Sequence, residues 1–454
     1  MIKFGLVLLL FLVLALPTLA DKSVASQPDG VGALSVCKVS VDSGPIVLHD
    51  RLRVQWGGHT FGYLLEGEMG VFWTGALYNP ADGSRTSRPV IGQYPLSGSK
   101  LPIRTNEIKI TDPDYEACNQ PQIIRTPDGY IHVFIGVTYK TSDASIHPSR
   151  LKYYRSAKPE DISVLIDRTS LIPTTPYDCF HLRMNVGVTP DGKRMALVVL
   201  AWSPAKPNQL FPFNTPVVFL GSRKGLDFTF KNPLKYAEAQ AFFYPQVAAS
   251  NAGIVLVGQN WDNQKRVCPR LMQMNWSGKV VHQEDLPMPV DGYYYPCDLR
   301  PEANASGKLI LYCAKGPLDK TNCTHDFYRY DPQSWKLTLL SSVQTDYSRS
   351  NSGKLAIQPD GQAVLINSPS MGGLYSWEGG LLENKSVSYR PIEGADVMKL
   401  GYAFSSYVFI PSPIYGSVSH PGGFYVGSDC GNAGTRGGDP GPVSFLLWRM
   451  KRAE

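Results

Sequence analysis

Residues 127–135 read Pro-Asp-Gly-Tyr-Ile-His-Val-Phe-Ile, a tight polar turn that leads directly into an apolar strand. A Gly followed at once by an apolar strand occurs seven times in the chain, at intervals of 54 to 63 residues. The glycines are Gly70, Gly129, Gly192, Gly253, Gly307, Gly361 and Gly423. Such turns join antiparallel strands, because Asn, Asp and Gly tolerate positive φ and Pro presets the corner.

Internal repetition at this length, with only β signals between the turns, predicts an all-β chain folded as a seven-bladed β-propeller. The composition agrees, because 454 residues with 42 Gly and 36 Pro contain few long amphipathic helical patterns. A closed ring of blades lets a chain of this length form a single domain, which we expect to span residues 35–454. The last strand, residues 442–450, is expected to help close the ring.

The first twenty residues have the pattern of a signal peptide. Lys3 provides a short basic region, residues 4–16 are apolar, and Ala20 suits a small-residue cleavage site. The apolar run is too short for a membrane span. We therefore expect a signal peptide over residues 1–20, a linker over residues 21–34, and a secreted, soluble protein without membrane association.

Export favours disulfides as the role of the eight cysteines. No Cys-x-x-Cys pair occurs, which argues against a zinc site built from thiolates. Two pairings are predicted: Cys313 with Cys323 inside the fifth blade, and Cys37 with Cys430 across the point of ring closure.

The charge pattern bears on the kind of molecule that the protein binds. The net charge is a mild +6, and no run of five basic residues occurs, so nucleic acid is a poor candidate. We expect an anionic polysaccharide or oligosaccharide as ligand and a monomeric protein. The sequence requires no cofactor and leaves a structural cation such as Ca²⁺ open.

The repeat also predicts where a site would lie. In a propeller the innermost strand of each blade starts at the mouth of the central channel, so residues nine to eleven positions before the repeat Gly belong near the mouth. The third blade gives the clearest set of candidate residues near the mouth, because strand alternation places His181, Arg183 and Asn185 on one face. A network of polar side chains and water filling the axis is the structural alternative.

The second blade carries a family resemblance. It contains Cys118-Asn-Gln-Pro, then Gly129-Tyr-Ile-His-Val-Phe, then His147, and then Leu151-Lys-Tyr-Tyr-Arg-Ser-Ala-Lys-Pro-Glu-Asp-Ile. This run, within residues 115–162, resembles the BNR-4-type propeller family, which includes ulvan lyases. The resemblance implies a secreted polysaccharide lyase acting on a uronic-acid-containing glycan.

The chain also departs from that family. The family has a working His at the position of Cys118. It also has an Arg about sixteen residues after an inner-strand Tyr, and the residue sixteen positions after Tyr244 is Asn260.

β-Elimination from a uronate needs a base to remove the proton on C5, a cation to neutralise the carboxylate, and a group to protonate the leaving O4. We therefore predict four catalytic residues: Tyr244 as acid and base, Arg183 as neutraliser, and His181 and His147 as base or donors. The predicted substrate-binding residues are His59, Gln120, Asn185, Gln246, Asn260, Trp261, Tyr295 and Arg300.

Two other functions remain open. One is a glycoside hydrolase that releases terminal rhamnose from rhamnosyl-glucuronate side chains, and the other is a non-catalytic glycan-binding propeller. Hydrolysis ordinarily requires two carboxylates, and Asp298 is the only acid among the predicted mouth positions. His132, inside an apolar run, is predicted to be a core residue.

Overall fold

The structure is a computed structural model. It describes residues 35–36, 39–53, 64–77, 88–118, 121–140, 148–173, 177–178, 183–202, 214–235, 242–261, 267–286, 293–302, 307–316, 323–345, 353–357, 363–367, 375–380, 388–420, 422–432 and 442–452. These residues form β-strands and two 3₁₀ turns, Thr169–Leu171 and Pro413–Tyr415, without an α-helix. The prediction of an all-β chain is therefore confirmed. No helix in the described ranges is long and apolar enough to cross a bilayer.

The described strands form five hydrogen-bonded sheets, two of which join separate antiparallel runs through a single pair of residues, Val267 with Tyr293 in one and Leu52 with Leu77 in the other. We number these runs of mainly antiparallel strands as groups, from 1 in chain order. Group 1 contains β3 (Leu64–Glu66), β4 (Gly70–Leu77), β5 (Arg88–Pro95) and β6 (Arg104–Glu107). Group 2 contains β7 (Tyr115–Cys118), β8 (Gln122–Arg125), β9 (Ile131–Tyr139), β10 (Pro148–Lys158), β11 (Asp161–Asp167) and β12 (Tyr177–Asp178). Group 3 contains β13 (Arg183–Val188), β14 (Arg194–Trp202), β15 (Asn214–Lys224), β16 (Asp227–Phe230) and β17 (Leu234–Lys235).

The later groups repeat this order of strands. Group 4 contains β18 (Phe242–Ser250), β19 (Gly253–Trp261), β20 (Val267–Met274) and β21 (Val280–Asp285). Group 5 contains β22 (Tyr293–Pro301), β23 (Leu309–Gly316), β24 (Cys323–Asp331) and β25 (Lys336–Thr345). Group 6 contains β26 (Lys354–Ile357), β27 (Ala363–Asn367), β28 (Tyr375–Gly380) and β29 (Ser388–Pro391), together with the short β1 (Ser35–Val36). Group 7 contains β30 (Tyr402–Phe409), β31 (Phe424–Asn432), β32 (Pro442–Arg452) and β2 (Val39–Arg53).

Where they are described, the predicted turns connect the first strand of a group to its second; in group 2, β7 and β8 both pair with β9 and together count as the first strand. Gly129 and Gly192 have φ of 84° and 66°, a conformation that favours glycine, and they join β8 to β9 and β13 to β14. The last strand, β32, pairs antiparallel with the N-terminal β2, so the two ends of the described chain complete one sheet. This pairing agrees with the role predicted for residues 442–450.

The hydrophobic core lies between the groups. Each cluster of buried side chains in the described ranges joins two consecutive groups, and one joins group 7 back to group 1 through residues such as Phe445 and Trp73. Sheets covered on both faces require apolar residues on both faces, which explains why β9 is buried along nearly its whole length.

Strand register bears on one of the two predicted disulfides. Cys313 pairs with Asp326 across β23 and β24, which leaves Cys323 three positions further along the neighbouring strand. Three residues of strand span about 10 Å, whereas bridged Cα atoms lie about 4.4–6.8 Å apart. The predicted bridge between Cys313 and Cys323 is therefore wrong for this register. Cys37, of the second pair, lies outside the described residues.

Candidate functional site

The first strands of the groups end at one place. A cavity of about 890 Å³, which we call the turn-side cavity, is lined by residues at the ends of six of them. These residues are Glu66, Arg125, Val188, Ser250, Pro301 and Ile357. The mouth predicted from the sequence therefore belongs at the other end of these strands, where they begin.

The predicted catalytic residues fall at those beginnings. Arg183 is the first residue of β13 and Tyr244 is the third of β18, and β13 and β18 pack against each other. The structure describes their backbone positions. His181 and His147, the other two predicted catalytic residues, lie outside the described residues.

The predicted substrate-binding residues fall into three sets: residues outside the described ranges, residues placed by their backbone, and residues with described side chains. His59 and Gln120 lie outside the described residues. Asn260 and Trp261 end β19, and Tyr295 is the third residue of β22, so their backbones lie toward the same strand ends. Three others have described side chains, namely Asn185, Gln246 and Arg300, and all three are buried.

Two neighbouring first strands are irregular close to a Tyr-Pro dipeptide. The register of β18 against β19 shifts between Phe243 and Gln246, at Tyr244-Pro245. The register of β22 against β23 shifts between Pro296 and Asp298, at Cys297, one residue after a Tyr295-Pro296 pair that itself stays in register. Proline cannot donate a ladder hydrogen bond, and a β-bulge re-aims the side chains beside it. The first strand of group 4 is therefore bulged at its Tyr-Pro dipeptide, whereas that of group 5 is bulged directly after its Tyr-Pro dipeptide.

Asn185 fixes one of these bulges. Its side-chain amide Nδ2 donates to the carbonyl oxygen of Pro245 at 2.8 Å, and its Oδ1 accepts from the amide of Val186 at 2.8 Å. The side chain is 1% exposed. The sequence interpretation had placed Asn185 in the channel as a substrate contact, whereas here its amide holds the backbone next to Tyr244.

Arg300 lies near the end of β22, where its side chain forms hydrogen bonds to other protein groups. Its Nε donates to Asp298 Oδ2 at 2.7 Å, and its Nη atoms donate to the carbonyls of Ile410 and Pro411 at 3.2 and 2.9 Å. Asp298 also accepts from the amide of Leu355 at 2.8 Å. The sequence interpretation had placed Arg300 near the mouth, whereas the structure places it in the wall of the turn-side cavity.

Residues 410–420, which we call the bridging segment, connect β30 to β31 and form part of the cavity wall. The amide of Val418 donates to the carbonyl of Glu66 at 2.8 Å, and Ser417 Oγ accepts from the amide of Glu66 at 3.2 Å. Gly416 lies so close to Arg125 that a Cβ there would collide with the Arg125 carbonyl. The segment is thus held by groups 1, 2 and 5.

The cavity contains an unusual carboxyl group. Burial raises the pKa of Glu66 to about 8, although a backbone hydrogen bond from Tyr425 and the charge of Arg449 act in the opposite direction. His420 Nε2 lies 3.9 Å from Glu66 Oε1 and donates to the carbonyl of Gly67 at 2.7 Å. At neutral pH the Glu66 carboxyl is therefore mostly protonated.

The neighbouring charges are paired. Arg125 Nε donates to Glu160 Oε1 at 2.7 Å, and the Glu160 carboxylate accepts from the amides of Glu68 and Met69 at 2.8 and 2.7 Å. These bonds tie the end of β8 to the turn between β3 and β4. Within the described ranges, no group of three or more His, Cys, Asp or Glu residues could hold a metal ion.

His132 is a core residue, as the sequence predicted. It is fully buried, its Nδ1 is hydrogen-bonded to the hydroxyl of Tyr153 at 2.8 Å, and burial lowers its pKa to about 3. His325, which the sequence left unassigned, has the same arrangement with the hydroxyl of Tyr312 at 2.7 Å. Both rings are neutral at physiological pH.

Sequence reasoning missed Glu66 and His420. They are separated by more than 350 residues, and no motif links them. The available signal was position alone, since Glu66 immediately precedes the turn at the first repeat glycine.

Comparison with known proteins gives structural likenesses without a sequence family. No protein-family profile and no curated protein matches the chain. The polysaccharide lyase Uly1 is 10% identical over 92% of this chain and 100% of that one, with a TM-score of 0.49. A Penicillium chrysogenum α-L-arabinanase complexed with arabinobiose is 14% identical over 72% and 92%, with a TM-score of 0.43. A Fusarium graminearum α-L-arabinofuranosidase is 12% identical over 74% and 94%, also with a TM-score of 0.43. Likeness at this level does not extend to substrate or reaction.

Proposed function

We propose that residues 35–454 form one seven-bladed β-propeller, secreted as a monomer after removal of residues 1–20. Groups 1 to 7 would each be a blade. Support comes from the cyclic order of the buried clusters, which lead from each group to the next and from group 7 back to group 1. The pairing of β32 with β2 would then join the two chain ends within the last blade.

We propose that this propeller is a lyase that cleaves a uronic-acid-containing polysaccharide by β-elimination at the ends where the first strands begin. The observation that carries this proposal is the bulge at Tyr244-Pro245, which Asn185 holds. β-Bulges are over-represented beside active sites because they re-aim side chains. The resemblance of residues 115–162 to the lyase-containing family gives the reaction class.

Each proposed residue has a step in the elimination. The Tyr244 oxygen takes the proton from C5, and the electron pair of that bond forms the C4–C5 double bond as the C4–O4 bond breaks. The leaving O4 takes up a proton from Tyr244 or from a histidine, His147 or His181. The guanidinium of Arg183 neutralises the substrate carboxylate while charge builds on it.

The experiment is a survey of substrates with two readouts. The secreted form of the protein is incubated with ulvan, plant gums and other uronate polysaccharides, and both ultraviolet absorbance and new reducing ends are followed. The proposal predicts absorbance from a double bond conjugated to the carboxylate. New reducing ends without absorbance would instead indicate the hydrolase that releases rhamnose, and binding without cleavage would indicate a glycan-binding propeller.

A further inference from the structure

The turn-side cavity takes no part in the proposed elimination. It lies at the ends of the first strands, whereas Tyr244 lies near the beginning of β18. Its volume of about 890 Å³ is within the range of about 300–1,000 Å³ that is typical of small-molecule sites. A cavity of this size, built from the strand ends of several groups, is large enough to bind a small molecule of its own.

We propose that the turn-side cavity is a second binding site, which takes an uncharged polyhydroxylated ligand the size of a monosaccharide or disaccharide. Three features lead to this ligand class: the pairing of the charges, the hydrogen-bonding groups at Glu66 and His420, and the apolar part of the wall. The inference does not depend on the proposed lyase activity.

Both arginines in the wall and one of its carboxylates, Glu302, are compensated by protein groups. Arg125 is paired with Glu160 and Arg300 with Asp298, each at 2.7 Å, and all four side chains are buried. Glu302 accepts from Arg329 Nε at 2.8 Å. An ionic ligand would have to compete with these partners, whereas an uncharged ligand would leave them intact.

Glu66 and His420 provide the polar contacts. A protonated carboxyl both donates and accepts hydrogen bonds, as a sugar hydroxyl does. Because the Gly67 carbonyl can only accept, His420 Nε2 carries a proton, and in the neutral ring Nδ1 is then an acceptor. Sugar hydroxyl groups both donate and accept hydrogen bonds, so they can pair with the donors and the acceptors of this site. A carboxylate only accepts hydrogen bonds, so it cannot pair with the acceptors.

The apolar part of the wall would cover the carbon face of such a ligand. Val188, Leu309, Ile357, Ile414 and Phe424 contribute to it from different groups and from the bridging segment. Ligand sites typically combine a mainly apolar lining with a small number of placed polar groups.

The proposal predicts a pH dependence of binding. Glu66 faces His420 of the bridging segment, Tyr425 of β31 and Arg449 of β32. Above a pH of about 8 the Glu66 carboxyl ionises and loses its donor hydrogen. Binding of an uncharged sugar should therefore weaken between pH 6 and pH 9.

The test is a calorimetric titration of the full-length protein with D-glucose, D-galactose, L-rhamnose and D-xylose, with D-glucuronate as the anionic comparison. We expect at least one neutral sugar to bind in preference to glucuronate, with affinity about tenfold lower at pH 9. Glu66→Gln should keep the affinity at pH 6 and lose the pH dependence, and Glu66→Leu should bind about tenfold more weakly. Glu393→Gln, at an exposed carboxylate that does not line the cavity, serves as the control and should bind as the wild type does.

Three results would overturn the proposal: no neutral sugar binds, glucuronate binds best, or Glu66→Leu binds as tightly as the wild type. If Glu66→Leu does not fold, as judged from its melting curve, the wild-type pH dependence and its absence in Glu66→Gln decide the question. None of these results bears on elimination, which is measured separately by ultraviolet absorbance.

Discussion

Replacing Glu66 by Gln should stabilise the protein, and by more as the pH rises. In the folded chain burial raises the pKa of Glu66 from 4.5 to about 8. Between these two pKa values the Glu66 carboxyl is protonated in the folded state and ionised in the unfolded state. The free energy of unfolding therefore falls as the pH rises through this range and levels off above a pH of about 8. Gln cannot ionise, and it keeps the size and the neutral character of the protonated acid.

The magnitude follows from the size of the shift. One pKa unit corresponds to about 1.4 kcal/mol, so the full difference between the two states is on the order of 5 kcal/mol. Structural relaxation around the charge reduces it, and we expect a stabilisation of a few kcal/mol at pH 9. At pH 5 the wild type and the variant should differ by less than about 1 kcal/mol from this cause.

The assay is urea unfolding followed by tryptophan fluorescence at each pH from 5 to 9, for the wild type, Glu66→Gln and Glu68→Gln. Glu68 is the matched control, because it is a carboxylate two residues away whose side chain is 62% exposed. A difference between Glu66→Gln and the wild type that stays constant with pH would refute the reasoning. So would a Glu68→Gln variant with the same pH trend.

Three further predictions concern stability. Asn185→Ala should cost about 1–3 kcal/mol in urea unfolding, because it leaves the buried carbonyl at the Tyr244 bulge without its donor; an unchanged midpoint would contradict this. Gly416→Ala should lower the melting temperature more than Gly401→Ala, since both glycines have φ near +85° but only Gly416 would place a Cβ against backbone; equal losses would show that the bridging segment is not tightly held. The wild type should lose stability as the pH falls from 6.5 toward 3, because His132 takes up a proton in the unfolded chain first. The His132→Asn variant should show a shallower acid slope, and an identical slope would rule out this cause.

The sequence predicted the parts of the structure that local patterns control. The polar turns before apolar runs located the connections between first and second strands, and Gly129 and Gly192 adopt the positive φ that those turns require. The apolar surroundings of His132 predicted its burial, because a period-two pattern records which faces of a strand are covered.

The features that the sequence did not predict depend on register or on distant segments. The spacing of Cys313 and Cys323 in the chain suggested a clamp, but strand pairing separates them. Arg300 was counted toward the mouth, whereas its position near the end of β22 pairs it with Asp298 and the bridging segment. The contact of Glu66 with His420 joins group 1 to the connection inside group 7, and only the folded chain brings these together.

The central claim is that elimination occurs where β13 and β18 begin, with Tyr244 as the acid–base group. The most direct measurement is the rate of formation of the unsaturated uronate by the wild type, Tyr244→Phe and Tyr130→Phe on a polysaccharide that the wild type cleaves. Tyr130 is the matched control, because it directly follows the turn glycine Gly129, at the opposite end of the strands. The account predicts that Tyr244→Phe lowers the rate by about 10²–10⁴ with little change in melting temperature, while Tyr130→Phe keeps the wild-type rate. Wild-type rates in Tyr244→Phe, or the absence of an unsaturated product from every uronate polysaccharide, would contradict it.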